Sequence, residues 1–404
     1  MAPDGRRVPY LPLLRRPYVV RLLAGSLVGR MPTAMAALAI ALSVREAGAG
    51  YRLVGVATGV FAVAGAIGGP LLGRVVDRTG QPRVLVVSAV VSGSGYGLLA
   101  LAPGSVYGTL VGAVVAGAAA PPLEPCLRAL WPELVTEEEL QSAYAVDAGA
   151  QEVVFIAGPL AVAGVAALGP APLALWLAGG LGLLGSLVMA TARPSRDWRT
   201  GTRDAHWLGP LRSPALLLLL VALFGAGWAL GGFNVFSVAY AEQHSVPGGA
   251  GLLMALSAFG ALLGAVAYGA LRWTTDAPLK AVLLCTGMAA SYWLVALVPG
   301  PAGACLVAAG TGVFFAPLLT VSFGLVGELA PDGTVTEAFA WLVTLIGAGV
   351  AAGSAVTGLL LADSTLSVAA ALGACGVTAG AVVLALSRGR LALPAPAREA
   401  ADSA

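Results

Sequence analysis

Charge is what this chain lacks most. Only 10% of its 404 residues are Asp, Glu, Lys or Arg, against about a quarter in ordinary soluble domains. Lys280 is the single lysine among 22 basic residues, a bias that points to a GC-rich genome rather than to chemistry. The net charge of +2 gives no basic surface for nucleic acid. Histidine is equally scarce: His206 and His244 stand in loop-like stretches without ligand-like neighbours, so no metal site is expected. The four cysteines, at 126, 285, 305 and 375, fall inside apolar runs with neither paired nor metal-like spacing and read as small packing residues. No catalytic His and no Ser/Lys arrangement shares a depth along the chain, which disfavours an intramembrane enzyme. No repeated filter sequence marks a channel. No cofactor motif stands out either: "GSGYG" (93–97) resembles a nucleotide loop but lies within an apolar run with no strand before it, where helix packing explains it better.

What fills the space is apolar. Hydrophobic residues make up 58% of the chain, and the 55 glycines bring the apolar share to about 72%, far above the roughly 45–50% of soluble domains. Mean hydropathy is +0.88. A soluble globule cannot hide this much apolar surface, so the expected solvent is lipid. Twelve runs of spanning length occur, from 18–44 to 366–387, with the fourth at 105–127 and the fifth at 142–167. Backbone groups in lipid must pair within their own segment, which makes these runs helices. The expectation is an all-α integral membrane protein of twelve transmembrane helices in two pseudo-symmetric six-helix bundles: 1–191, a linker at 192–213, 214–387, and a tail at 388–404.

Nineteen of the 22 basic residues fall on one side of this arrangement, which predicts both termini in the cytoplasm. The basic start runs into an apolar stretch too long for a cleaved signal and reads as a retained first span. Displaced by 195 residues, "PPLEPCLRALWPELV" (121–135) meets "APLLTVSFGLVGELA" (316–330), aligning Pro122 with Pro317 and Glu133 with Glu328 in what reads as corresponding loops. Gly65 and Gly69 meet Gly260 and Gly264 at the same offset. Parallel six-helix repeats are an architecture of secondary transporters.

Between spans 2 and 3 stands "GPLLGRVVDRTGQPRVL" (69–85). Gly65, Gly69 and Gly73 recur every fourth residue on one helix face, which lets another helix come close. Gly80 suits a positive φ. Asp77 sits where it can favour the start of span 3 or pair with an arginine. The loop resembles the signature of the major facilitator superfamily, G-x-x-x-D-R/K-x-G-x-R/K-R/K, through Gly73, Asp77, Arg78, Gly80 and Arg83, with Gln81 and Pro82 varying its final part. The resemblance implies an alternating-access transporter whose loop carboxylate and bases, here Asp77, Arg78 and Arg83, form a charge relay with the end of helix 11 that steadies the outward-open state. The corresponding loop of the second half, "YGALRWTTDAPLK" (268–280), keeps Arg272, Asp276 and Lys280 but lacks the aspartate in register. A second stretch, "GAQEVVFIAGPLAVAG" (149–164), is similar to the glycine-proline motif in helix 5 of drug–proton antiporters through Gly149, Gly158 and Pro159; it reads equally as a proline-bent helix packed through small residues.

An ionisable group near the bilayer centre costs roughly 2.5–3.5 kcal/mol on insertion scales and needs a partner or a purpose. Counted from the span starts, Arg30 lies about 18 Å and Glu152 about 15 Å deep, so an ion pair between them is the simplest expectation. It would be either a coupling site or a structural pair. Asp147 and Gln151 share a helix face, Asp147 being shallower, and Glu124 and Arg128 lie four apart near the inner end of span 4. No Asp, Glu, Lys or Arg lies deep in the second half, which places proton handling in the first. "TEEE" (136–139) reads as a capping box opening the helix of span 5.

Together these features predict a monomeric, multi-pass bacterial plasma-membrane transporter with no cofactor. Its partners would be the lipid bilayer, a small-molecule substrate and protons, the expected activity being export of a small apolar or amphipathic compound. The alternatives are proton-symport uptake of a metabolite and, from a different class, an enzyme or a non-transporting sensor.

Overall fold

The computed structural model describes residues 10–200, 208–246, 249–271, 273 and 275–391. Arg6, Arg7, Arg203, Arg272 and Arg398, counted in the topology reading, and His206, read as a loop residue, lie outside them. Among the described residues there is no strand. Among the same residues, twelve helices are long and apolar enough to cross a membrane: Val19–Glu46, Arg52–Thr79, Gln81–Leu101, Val106–Leu134, Glu137–Leu168, Pro172–Ala190, Pro214–His244, Gly249–Gly269, Ala277–Ala296, Pro301–Leu329, Val335–Leu361 and Leu366–Leu391, here spans 1 to 12. They form two six-helix bundles, spans 1–6 and spans 7–12. Short helices at Tyr10–Arg15 and Arg193–Asp197 and a 3-10 turn at Gly209–Arg212 lie at the end that carries the arginine-rich turns, called here the basic end.

Local chemistry sets where these helices start. Proline opens spans 3, 6, 7, 9 and 10 within their first two positions, where its missing N–H is no loss. Ser213 and Asp276 cap spans 7 and 9 by accepting from the N–H of Leu216 and Leu279. Thr136 and Glu139 form the predicted capping box, and it starts span 5 at Glu137, five residues before the apolar run begins.

Two helices also run further toward the basic end than their hydropathy indicates. Span 4 breaks at Pro121–Pro122 and resumes over Leu123–Leu134; span 10 breaks at Phe314 and resumes over Phe315–Leu329. The repeated stretches 121–135 and 316–330 are therefore the basic-end halves of spans 4 and 10 rather than loops. Arg128 is not a cytoplasmic loop residue but a helical side chain only 1% exposed. Their amphipathic, proline-bearing sequences lower the hydropathy without ending the helix.

Glycine sets the closest approaches. Spans 7 and 11 interlock, with Gly227 and Gly231 against the carbonyls of Ile346 and Val350, and Gly349 and Gly353 against those of Phe224 and Trp228. A methyl group at any of these positions would collide with backbone, which cannot yield as a side chain can. Gly231→Ala should therefore cost about 1–3 kcal/mol through overpacking and lower the melting temperature of the purified protein. Gly358→Ala, with nothing within 4 Å of its added carbon, should leave it unchanged.

Candidate functional site

A cavity of about 1080 Å³ lies among spans 1, 2, 3, 4, 6 and 11. It extends from Arg74 and Glu337 near the basic end toward the opposite end, reaching Thr58 on span 2 and Ala352 on span 11. Its wall is mostly apolar, with Phe61, Tyr96 and Trp341 among the larger side chains, and Arg30 and Glu124 give it a charged corner.

That corner is the visible edge of a buried four-residue cluster. Asp147 on span 5 is 0% exposed and accepts at both oxygens: Arg30 Nη1 donates to Oδ1 and Arg128 Nε to Oδ2, each at 2.8 Å. Glu124 accepts from Arg128 Nη2, one helical turn away, and its Oε1 lies 3.4 Å from Arg30 Nη2. Two cations and two carboxylates balance, which is the condition for burying any of them. Arg128 also lays its guanidinium carbon 3.6 Å from the ring centroid of Phe323 on span 10, in the other bundle.

The expected Arg30–Glu152 pair is not formed. Span 5 begins at Glu137, so Asp147 lies ten residues in, about 15 Å, and Arg30 eleven residues beyond Val19, about 16 Å; Glu152 is about 22 Å in. The shared depth belongs to Asp147. Among the described residues, Glu152 makes no hydrogen bond or ion pair. The capping box that places the helix start was legible in the sequence, and counting depth from it would have selected Asp147.

At the basic end the two bundles meet along two edges. On one, Asp77 of span 2 accepts the N–H of Thr336 at 3.1 Å and of Glu337 at 2.9 Å. Span 11 has no side-chain cap of its own, so Asp77 supplies one from the opposite bundle. Beside it Arg74 grips Glu337 with two bonds, Nε to Oε2 at 2.9 Å and Nη2 to Oε1 at 2.5 Å. Gly73 makes the approach possible, a side chain there lying 3.0 Å from Glu337 Cα. Thr344 donates to the Ala66 carbonyl one step further in. On the other edge, Ser142 donates to the carbonyl of Gly269 at 2.7 Å, Gln141 to those of Tyr268 and Leu271, and Tyr10 to that of Val266. Tyr144, Phe323 and Phe339 fill the space between the edges, all buried.

The family follows from a match over most of the chain. The sequence profile of the Major Facilitator Superfamily matches residues 22–321. The chain belongs to the major facilitator superfamily. No curated protein matches it in sequence, but solved transporters share its fold. A bacterial homologue of the iron transporter ferroportin, in an outward-facing state, has a TM-score of 0.73 at 16% identity, covering 91% of this chain and 98% of its own. The E. coli fucose:proton symporter has a TM-score of 0.71 at 13% identity, with 93% and 98% covered. A human organic anion transporter has 0.64 at 16%, with 93% and 98%. The superfamily and these relatives are transporters and not enzymes, and the chain is a multi-pass membrane protein.

In this superfamily member, the signature-loop residues fall into two groups. Asp77 and Gly73 join span 11, and Gly80 takes φ +88 at the turn into span 3. Arg78 and Arg83 point outward, exposed; the arginine on the contact is Arg74, which the pattern does not mark. Nor did the sequence single out Glu337, whose place in the first turn of span 11 is its one signal. Gln81 is buried, donating to the Cys126 carbonyl and accepting from Ser195 of the linker, and Thr200 donates to the Asp77 carbonyl. On span 5, Gly149 faces Leu262 and Ala265 of span 8, while Gly158, the residue before Pro159, packs on Ala34 of span 1. Among the described residues no group of His, Cys, Asp and Glu could hold a metal ion.

Asp147 and Glu152 should separate cleanly on mutation. Asp147→Asn strands two buried arginines and should cost about 3–5 kcal/mol, read as lost folded yield in detergent. Glu152→Gln should leave yield and melting temperature near wild type.

Proposed function

We propose that this transporter works by alternating access, as a monomer in a bacterial plasma membrane with its basic end in the cytoplasm, and exports a small, mostly apolar or amphipathic compound in exchange for protons. The observation that carries this reading is the large, mostly apolar cavity closed at the basic end and charged at one corner. An apolar wall favours an apolar body, since burial is worth about 25 cal/mol per Å². The similarity of the Gly149–Gly158–Pro159 stretch to drug–proton antiporters supports export. The likeness to an outward-facing relative supports the same state here.

Glu124 is our candidate for the proton. It is the carboxylate of the cluster that lines the cavity, its side chain 17% exposed, while Asp147 is sealed behind it. Protonating Glu124 leaves two arginines facing Asp147 alone, which changes the charge the cavity presents. Glu152, which makes no pair among the described residues, is the second candidate. Asp77, with Arg74 and Glu337 beside it, is the proposed gate; Arg78 and Arg83 keep only a topological part in it. One observation favours the reverse direction, uptake with a proton: Arg30 lines the same corner, and neutralising Glu124 would free a positive charge there for an anionic substrate.

Four outcomes are expected. In vesicles with an imposed proton gradient and a panel of apolar and amphipathic compounds, gradient-driven movement of at least one compound should be seen. Glu124→Gln should abolish the gradient's effect while leaving counterflow; gradient-driven transport at the wild-type rate in that variant rules Glu124 out as the proton site. A cysteine replacing Thr79, which is exposed at the basic end, should react with an impermeant thiol reagent only after the membrane is opened, and one replacing Gln243 should react in intact cells; the reverse pattern inverts the topology. Asp77→Asn keeps size and removes the charge that caps span 11, so it should insert normally and transport more slowly. Transport at the wild-type rate would reduce the loop to a topology signal.

A further inference from the structure

The charge cluster lies within the first bundle, yet its most buried cation touches the second. Arg128 spends Nε on Asp147 and Nη2 on Glu124, while Nη1 is buried without a hydrogen-bond partner. The flat face of the guanidinium rests on Phe323, 3.6 Å from the ring centroid. Phe323 is fully buried and held edge-on by Tyr144 of span 5 at 5.8 Å and by Phe339 of span 11 at 6.4 Å. A cation that cannot reach water gains from a π face what hydration would otherwise supply. The second bundle thus offers Arg128 a π partner across the seal at the basic end.

We propose that Phe323 is a positioning residue that ties closure of the basic end to the pairing of Arg128: the ring holds the guanidinium in the seal, and the carboxylates of Glu124 and Asp147 set how strongly it is held. The inference rests on the alternating-access reading and extends it. A proton or a substrate group arriving at Glu124 changes the bonds on one edge of Arg128, and the change reaches span 10 through the face. Conversely, when the bundles part at the basic end, Phe323 leaves and Arg128 must be satisfied by water or by its two carboxylates alone. The contact carries information both ways, because a coupling free energy between two sites is reciprocal.

The test reads closure directly and needs neither substrate nor proton gradient. Ser142 is buried in the seal, 1% exposed, its hydroxyl on the Gly269 carbonyl. With the four native cysteines changed to alanine, Ser142→Cys should react slowly with N-ethylmaleimide in purified protein. Phe323→Leu keeps an apolar side chain and removes the π face, and should raise that rate roughly ten- to thirtyfold, the weight of a desolvated cation–π contact. Phe323→Tyr keeps the ring and should stay within twofold. Where the leucine variant does not elute as a single folded peak, Phe323→Met, also without a ring, takes its place.

Adding Glu124→Gln completes the cycle. Its effect on the rate should be several-fold with Phe323 present and should shrink when the ring is gone. A ringless variant that labels like the parent, leucine and tyrosine variants that shift equally, or strictly additive effects of the two changes would each overturn the proposal. Its failure and that of the transport reading are separate: proton-driven transport with an unshifted labelling rate removes only the Phe323 link. A shifted, non-additive rate without any driven transport keeps the link and removes the transport reading.

Discussion

A carboxylate with no solvent exposure must be matched on both oxygens, and Asp147 meets that condition by accepting from Arg30 on span 1 and from Arg128 on span 4. Each ion taken out of water costs several kcal/mol, recovered only if the geometry is good and the remaining donors find partners. That requirement fixes much else. It brings three helices to one depth, draws Glu124 in to balance the second arginine, and leaves one side of the pair facing the cavity. The apolar packing around it permits many small adjustments; the cluster permits few. It is therefore the point from which the shape of the first bundle, and the polarity of its cavity, can be understood.

The seal at the basic end uses the same economy of groups. A helix start leaves N–H groups without partners, and span 11 leaves its own uncapped until Asp77 approaches from the other bundle. Arg74 and Glu337 add a bidentate pair at the same place. Across the interface, hydroxyl and amide side chains on span 5 reach the last carbonyls of span 8, which a helix end exposes for the same reason. The two bundles are thus joined where helices end, and the groups that join them are those that helix geometry leaves over. Such contacts can be exchanged for water without breaking either bundle.

The fold was open to reading from composition because lipid imposes a coarse rule: twelve long apolar runs admit helices and little else. The positive φ at Gly80 was equally readable, since it follows from local geometry; of the glycine series on span 2 only Gly73 meets another helix closely, while Gly65 and Gly69 line the cavity. Pairings were not. Hydropathy marks where a chain enters hydrocarbon, whereas depth is counted from where the helix begins, and at span 5 those points differ by five residues. That difference moved the partner of Arg30 from Glu152 to Asp147. At span 4 the proline break and the charges of 124–128 mimic a loop, and so hid Arg128 inside a helix. Arg74 and Glu337 are 263 residues apart and show no joint pattern; only the packing of spans 2 and 11 makes them neighbours.

The four members of the cluster all lie within the first 147 residues of the chain, whereas Glu337, the partner of Arg74, comes 190 residues after Asp147. At roughly 5–20 residues per second of synthesis, that separation lasts roughly ten to forty seconds. During this interval the four ions of the cluster are already neutralised by one another, and none of the four waits for a charge in the second half. Asp77 and Arg74 wait at the surface, where water can serve them. The order of birth thus matches the order of need: the ions that hydrocarbon would punish find partners early, and the ions that join the bundles find theirs last.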